Sequence, residues 1–257
     1  MPEGDTVWQT ARRLHAALAG QTLTRFDLRV PQAATVDLAG QVVDEVVPRG
    51  KHILHRIGEW TLHSHLKMEG AWIVLRPGAR WPRPQHTARA ILATATCDTI
   101  GFDIAEVSVV PRRDESGLVG HLGPDPLQAD WDAPEAAGRL AADPRPVHVA
   151  LLDQRNLAGL GNEYANEVLF VRGILPTTPS KDVDTAALAE TAARMLQANR
   201  DRPVRTFTGD SRPGRNRWVY GRENRPCLRC GTIIRSGHLG ADPTRQRNVF
   251  WCPFCQH

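Results

Sequence analysis

The sequence predicts an α+β protein of several domains: an N-terminal helix with a β-sandwich, a central helical domain, and a C-terminal β-hairpin held by a metal. Three observations predict this order. Short apolar segments between Gly, Pro and charged turns run from Leu23 to about Val110, Ala- and Leu-rich segments fill the middle, and two Cys-x-x-Cys pairs close the chain. With 257 residues, 41% of them hydrophobic, the chain can bury such cores, which excludes wholesale disorder.

The first element is a helix from about Thr6 to Ala19, with Asp5 as its N-cap and Gly20 as its end. Its apolar residues recur at helical spacing and form one face. Strands then follow at intervals typical of a sandwich or barrel. The predicted strands are Val42–Val47, His52–Ile57, Trp60–His65, Trp72–Leu75, Ala88–Ala93 and Val107–Val110.

The middle of the chain is predicted to be helical. The segments are Pro134–Ala142, Val147–Leu152, Glu163–Arg172 and Thr185–Asn199. Gly159 and Gly161 form a sharp turn before a helix that begins near Asn162, where free amide groups suit a phosphate. Residues 206–216 are predicted to be a flexible loop. We expect domains at 1–118, 126–215 and 216–257.

The cysteine spacing predicts one structural zinc ion. Cys227 and Cys230 are separated by 21 residues from Cys252 and Cys255, so two knuckles supply four thiolates. A closed four-cysteine site holds a fold and does not catalyse; unligated thiols or a redox pair are the alternatives. The fifth cysteine, Cys97, is predicted to be a buried thiol.

The charge is uneven along the chain. Residues 200–257 carry twelve arginines and four acids, a net charge of +8, which leaves −4 on residues 1–199. A basic C-terminal part on a mildly acidic body indicates a polyanionic partner. An arginine-rich proteome is the alternative, since the chain has only three lysines, but it does not explain the clustering.

The sequence carries no sign of a membrane or of secretion. No apolar run reaches the ~18 residues of a membrane span, and the acidic, polar start lacks the features of a signal peptide. An odd, small number of cysteines fits a reducing compartment. We expect a cytoplasmic, nucleoid-associated monomer that does not contact a membrane.

Several single residues are chemical candidates. Once Met1 is removed, Pro2 presents an α-amino group that is partly unprotonated at neutral pH, with Glu3 beside it. Lys51 lies in a turn that enters a strand, where a plain surface charge is the alternative. His63 and His65 alternate onto one strand face, where packed imidazoles are favoured over a metal site. Met68, next to a glycine turn, is either an exposed wedge or a core residue.

Taken in order, these motifs resemble one family along almost the whole chain, the formamidopyrimidine/endonuclease VIII-like DNA glycosylase/AP lyases. The matching segments are 1–4 (MPEG), 49–51 (RGK), 65–70 (HLKMEG), 122–127 (LGPDPL), 157–164 (LAGLGNEY), 219–222 (VYGR) and 247–256 (RNVFWCPFCQ). The resemblance implies a β-sandwich, a helix–two-turn–helix domain and a zinc finger, with damaged DNA bound in the cleft between the domains. It also implies that the enzyme flips the damaged nucleotide out of the stack.

The resemblance also implies the roles of individual residues. Pro2 attacks C1′ and forms a Schiff base, Glu3 handles protons at the sugar, and elimination cuts the strand on both sides of the lesion. Lys51, which belongs with this catalytic group, grips phosphate together with Asn162 and Arg247. Met68 fills the hole left by the flipped base.

The sequence departs from the family in ways that favour the endonuclease VIII-like branch and oxidised pyrimidines. A second glutamate of the opening helix is replaced by Thr6, and residues 101–106 (GFDIAE) lack the Arg and Phe wedges of the purine branch. The loop before Val219 is also shortened. Two alternatives stay open: a non-catalytic damaged-DNA-binding protein on the same fold, and a lyase limited to abasic or single-stranded substrates.

Overall fold

The computed structural model describes residues 2–240, 242, 244 and 246–257. The chain divides into two compact units, with the boundary between residues 121 and 122. Met1, whose removal would expose the Pro2 amine, lies outside the described residues. The second unit contains both the helices and the cysteine module. A further division at residue 215 stays a prediction.

The N-terminal helix α1, Gly4–Leu18, begins two residues earlier than predicted. The prediction that Asp5 is the N-cap of this helix is wrong. The N-cap is Glu3, which has extended backbone and whose carbonyl accepts from the Val7 amide at 3.0 Å. Asp5 lies inside the first turn, where its carboxylate accepts from the neighbouring Thr6 amide. Gly20, at φ +75°, ends the helix region as predicted and donates to the Val43 carbonyl.

The first unit contains eight strands besides its helices. The predicted sandwich is confirmed, because these strands form two four-stranded antiparallel sheets. The strands are β1 (Arg25–Leu28), β2 (Val43–Arg49), β3 (His52–Ile57), β4 (Trp60–His65), β5 (Ala71–Leu75), β6 (Ala88–Ala93), β7 (Asp98–Phe102) and β8 (Glu106–Pro111). The first sheet has the order β2-β3-β4-β8 and the second β1-β6-β7-β5. The predicted limits of β3, β4 and β6 are confirmed, whereas β1 and β7 were missed.

The core of the first unit is shared by α1 and both sheets. The predicted apolar face of α1 is buried in this core through Val7, Ala11, Leu14 and Leu18. Every strand of the unit except β7 also contributes at least one buried residue to it. Cys97 is buried there too, as predicted. A short helix α2, Ser116–Val119, ends this unit.

The second unit consists of four helices and a hairpin. The helices are α3 (Ala133–Ala142), α4 (Val147–Leu152), α5 (Asn162–Arg172) and α6 (Thr185–Asn199), and the hairpin strands are β9 (Arg235–Leu239) and β10 (Arg247–Trp251). Asp132 and Asp184 cap α3 and α6 by accepting amide hydrogen bonds. Residues 206–216 contain no helix or strand, as predicted.

Helix α5 is the centre of this unit, because every residue from Asn162 to Phe170 is buried. Phe170 packs with Val219, Phe250 and two of the cysteines in one small core. Polar residues on α5 are therefore forced to find partners inside the protein. Among the described residues, no helix is long and apolar enough to cross a membrane.

Candidate functional site

The N-terminus places a carboxylate in the protein interior next to the candidate nucleophile. Pro2 is partly exposed, whereas Glu3 has 0% exposure although it adjoins the chain end. Glu3 occupies this place because α1 starts at the next residue and packs into the sandwich core. Once Met1 is removed, Pro2 carries a secondary amine directly beside this buried carboxylate, an arrangement that suits proton transfer.

Lys51 lies in the two-residue turn between β2 and β3. Arg49 pairs with His52 across this hairpin, and Gly50 adopts φ +56°, the backbone that such short loops favour in glycine. The turn thus holds Lys51 at the end of a paired strand, partly buried. Rigid strands position such a cation more narrowly than a long loop does.

Met68 protrudes from a tight turn between β4 and β5. Its exposure is 61%, so it is not a core residue. The turn is closed by the Gly70 amide, which donates to the Leu66 carbonyl at 3.0 Å. A Cβ on Gly70 would lie 2.5 Å from that carbonyl oxygen, so only glycine fits. Lys67 adopts φ +54°, with its amide donating to His65 Nδ1 at 3.0 Å.

A histidine cluster connects the Lys51 turn with the Met68 turn. His52 Nδ1 and His63 Nε2 are 2.7 Å apart, His63 Nδ1 is 3.2 Å from the Ser108 hydroxyl, and the His52 ring contacts His65 edge-on. Burial, as the main cause, lowers the pKa of His52 to about 3 and that of His65 to about 4. The rings are therefore neutral, hydrogen-bonded imidazoles at pH 7, as favoured above.

Asn162, the first residue of α5, joins that helix to the hairpin. Its Oδ1 is 2.9 Å from His148 Nε2, and its Nδ2 donates to the Asn248 carbonyl at 2.9 Å. Asn166, one turn later, donates to the Asn162 carbonyl and accepts from the Phe250 amide at 2.6 Å. The predicted helix start at this position is confirmed within one residue.

Arg247 begins β10 and is exposed. Because Asn248 follows it directly and is bonded to Asn162, the structure brings Arg247 and the start of α5 together. His148 and Asn166 were not predicted from the sequence. The only available signal was that two polar residues occupy an otherwise buried helical pattern.

Two buried glutamates of α5, also missed, hold the segment before the cysteines. Glu163 pairs with Arg205 at 2.9 Å and with Arg217 at 2.7 Å. Glu167 has 0% exposure and accepts from the amides of Trp218, Val219 and Tyr220 at 2.8–2.9 Å. Burial raises the pKa of Glu167 to about 7, against the lowering effect of these amides.

The four cysteines come together as predicted. Their Sγ atoms all lie within 4.8 Å of one another, and Cys230 and Cys252 are 3.5 Å apart. A tetrahedral ion with metal–sulfur bonds of about 2.3 Å requires such spacing. Burial, followed by the neighbouring sulfurs, raises the pKa of Cys255, so a bound cation is needed to keep all four as thiolates. These cysteines form the one such cluster of metal-ligating groups among the described residues.

The site residues therefore form two groups. Pro2, Glu3, Lys51 and Met68 belong to the first unit, and the histidine cluster links the turns of the latter two. Asn162, Arg247 and the four cysteines belong to the second unit, where α5 and the hairpin share a core.

Sequence comparisons agree on one family. The model of the formamidopyrimidine-DNA glycosylase N-terminal domain matches residues 1–109, and that of the formamidopyrimidine-DNA glycosylase H2TH domain matches residues 122–200. The chain is 52% identical, over its whole length and 94% of the relative, to a probable endonuclease 8 2 of Streptomyces coelicolor. It is also 52% identical to the DNA-(apurinic or apyrimidinic site) lyase Nei2 of Mycolicibacterium smegmatis, covering all of this chain and 99% of that one.

A comparison with solved structures gives the same fold. MutM in complex with DNA that contains carbocyclic 8-oxo-G has a TM-score of 0.83 and 25% identity, with both chains fully covered.

Proposed function

This chain belongs to the formamidopyrimidine-DNA glycosylase/endonuclease VIII family of DNA glycosylases and AP lyases in base excision repair, and we propose that it removes oxidised bases, pyrimidines foremost, with Pro2 as its nucleophile. The observation that carries the proposal is the fully buried Glu3 beside the partly exposed Pro2. DNA binding by itself requires neither a buried carboxylate nor a reachable amine at the N-terminus.

The proposed reaction uses Pro2 as the nucleophile and Glu3 as the proton carrier. The amine nitrogen forms a bond to C1′ as the C1′–N bond to the base breaks, and the base leaves with a proton. Opening of the sugar ring then yields an iminium ion between Pro2 and C1′. Loss of a C2′ proton expels the 3′ phosphate, and a second elimination expels the 5′ phosphate. Glu3 protonates the ring oxygen as the C1′–O4′ bond breaks.

Three groups grip the phosphate backbone in this proposal. Lys51 and the exposed Arg247 supply cations, which pair with phosphate oxygens. Asn162 is nearly buried, at 6% exposure, and both polar atoms of its side chain are engaged inside the protein. We therefore assign its phosphate contact to the amide groups at the start of α5, where the helix dipole is positive.

The short turn between β7 and β8, which adjoins the Met68 turn, supports a preference for poorly paired lesions. Only residues 103–105 separate β7 from β8, so neither an arginine nor a phenylalanine is available there as a second wedge. Base flipping costs a few kcal/mol of stacking, least where pairing is already weak. With one apolar wedge, the enzyme depends on weakness at the lesion itself, as at oxidised pyrimidines and abasic sites.

The cysteine cluster fits a structural zinc ion held by Cys227, Cys230, Cys252 and Cys255. The ion would supply a fixed cross-link between the two knuckles, and it takes no part in the reaction. The hairpin between the knuckles carries Arg247. The metal site therefore determines whether this hairpin is folded and can hold Arg247 against the DNA backbone.

Borohydride trapping tests the function. Purified protein whose mass shows loss of Met1 is mixed with duplexes that contain dihydrouracil or an abasic site, and the imine is reduced to a stable cross-link. We expect trapping by the unchanged protein and none by protein that retains Met1, whose Pro2 nitrogen is an amide. Pro2→Gly, which keeps only a primary amine, should trap more weakly, with DNA affinity within about threefold of the unchanged protein. Glu3→Gln should lose base excision more than cleavage of abasic sites.

Two results would overturn the assignment. Efficient trapping by protein that retains Met1, as verified by mass, would remove Pro2 as the nucleophile, because its Pro2 nitrogen is an amide. Binding to damaged DNA without trapping by the unchanged protein would instead support the non-catalytic alternative.

A further inference from the structure

An arginine-rich segment covers the outer face of the second sheet. Residues 76–89 contain four arginines, three prolines and no acid, although they belong to the acidic part of the chain. Trp81 anchors the segment: its ring contacts Phe102 edge-on at 5.7 Å, and the Arg29 guanidinium lies 5.7 Å from its centroid. The function described above uses none of these residues.

Between this segment and the sheet lies a groove of about 630 Å³. Its polar lining is mostly cationic. The lining includes Arg25, Arg80, Trp81, Arg83, Gln85 and Asp98.

The segment that forms the groove is attached to the turn that carries Met68. Arg83 Nη1 donates to the Glu69 carbonyl at 3.1 Å and pairs with Asp103 at 2.8 Å, so the segment is attached to both turns at this end of the sheet. Strand register places Ala71 opposite Phe102 at this end and Leu75 opposite Asp98 at the other. At about 3.3 Å per residue, four residues span about 13 Å.

The charge of the groove is not neutralised by its own acids. Arg80 is exposed and makes no ion pair within the described part of the chain. Arg25 and Arg29 share one carboxylate, that of Asp27. The Asp98 carboxylate accepts from the Gly78 amide. A cationic channel with an aromatic wall is the combination that binds single-stranded nucleic acid.

We propose that this groove binds an unpaired DNA strand where it leaves the Met68 turn, an inference that rests on the proposed function. A length of about 13 Å accepts about two to four nucleotides, at ~3.4 Å per nucleotide or more when the strand is extended. A duplex offers no unpaired base that could stack on the aromatic wall. Attachment to the Met68 turn through Arg83 favours DNA over an acidic peptide, since the wedge delivers an opened strand to this end.

The test compares paired and unpaired DNA with one double variant, Arg25→Gln/Arg80→Gln. Each DNA carries the same tetrahydrofuran site, which cannot react, as a full duplex, a five-nucleotide bubble or a single strand. Arg113→Gln is the matched control, because its side chain is 85% exposed and follows β8 at the end of the first sheet away from Met68. Affinity is measured by fluorescence anisotropy over a range of salt concentrations, and urea unfolding verifies that both variants are folded.

We expect the double variant to lose about tenfold in affinity for the bubble and the single strand and less than twofold for the duplex. The slope of log affinity against log salt on the single strand should fall by about 1.4, at ~0.7 for each lost phosphate contact. Arg113→Gln should change none of these values. Oligothymidylate should displace the bubble more strongly than polyglutamate of equal charge.

Equal weakening on paired and unpaired DNA, or no weakening, would overturn the inference. Preferential displacement by polyglutamate would assign the groove to an acidic protein segment instead. Because the tetrahydrofuran site cannot react, these measurements are independent of catalysis. If borohydride trapping is normal but the double variant binds unpaired DNA as well as the unchanged protein does, only the groove proposal is rejected. If trapping is absent but the double variant selectively loses affinity for unpaired DNA, only the proposed chemistry is rejected.

Discussion

Acid should destabilise the first unit through its buried imidazoles, well before its carboxylates are protonated. His52 and His65 belong to the cluster behind the Lys51 and Met68 turns, and His55 is fully buried with its ring 4.9 Å from that of Trp72. Burial, the largest cause, lowers their pKa values to about 3, 4 and 4, in the order His52, His55 and His65. Neighbouring cations and imidazoles add to this for His52 and His65, including His63, His121, Lys51 and Lys67.

The sign follows from proton binding. Between the folded pKa values and the unfolded value of 6.5, the unfolded chain binds more protons than the folded one, so stability rises with pH. The stability is complete above pH 6.5 and is lost as the pH falls towards 4. At pH 5, an imidazole that stays neutral in the fold lowers the free energy of unfolding by about 2 kcal/mol, a sizeable part of the ~5–15 kcal/mol stability of a domain.

The carboxylates act at lower pH. The pKa values of Glu106 and Glu115 are lowered in the fold because Lys67 and Arg56 bond to them, which outweighs the raising effect of burial. Their stabilising effect is present above the ordinary value of 4.5 and is lost as the pH falls below it. A loss of first-unit stability between pH 6.5 and 5 therefore reports the histidines. Glu167 of the second unit acts in the opposite direction there, because its pKa is raised to about 7 and its protonation stabilises the fold as the pH falls.

Urea unfolding at pH 7, 6 and 5, followed by tryptophan fluorescence, measures this loss, and His55→Leu isolates one imidazole. The variant cannot titrate at this position, so its stability should fall by about 2 kcal/mol less than that of the unchanged protein between pH 7 and pH 5. Constant stability of the unchanged protein over this range would refute the reasoning. An identical acid loss in His55→Leu would refute the assignment to His55.

Three further predictions concern other residues. Cys252→Ser should lose both zinc, measured by elemental analysis, and tight DNA binding, because the hairpin that carries Arg247 loses its cross-link; a metal-free variant with full affinity would contradict this. Met68→Ala should slow single-turnover excision from duplexes about tenfold more than from single strands, and equal slowing would remove Met68 as the wedge. Glu167→Gln should cost about 1–3 kcal/mol in urea unfolding, because its amide group turns a donor towards a backbone amide; unchanged stability would show that Glu167 is dispensable.

Much of the fold was predictable because its signals are local. The apolar spacing of α1, the helical segment Thr185–Asn199 and the two residues between the cysteines of each pair are such signals, and the structure confirms them. The missed strand β7 contains Gly101, which weakens a strand pattern. A Cβ there would lie 2.3 Å from Ile104 Cδ1 and 3.2 Å from the Trp72 ring, so the Ile104 side chain would have to move.

The site was predictable only in part. The sequence by itself determined which residue types could act as nucleophile, proton carrier and metal ligands, because chemistry depends on residue identity. Only the tertiary structure decided that Asn162 bonds to a residue 86 positions away, that Glu167 holds amides more than 50 positions away, and that Arg83 is attached to the Met68 turn. Such partners are selected by burial, since a polar group removed from water must bond to whatever the fold places beside it, and no local pattern encodes that neighbour.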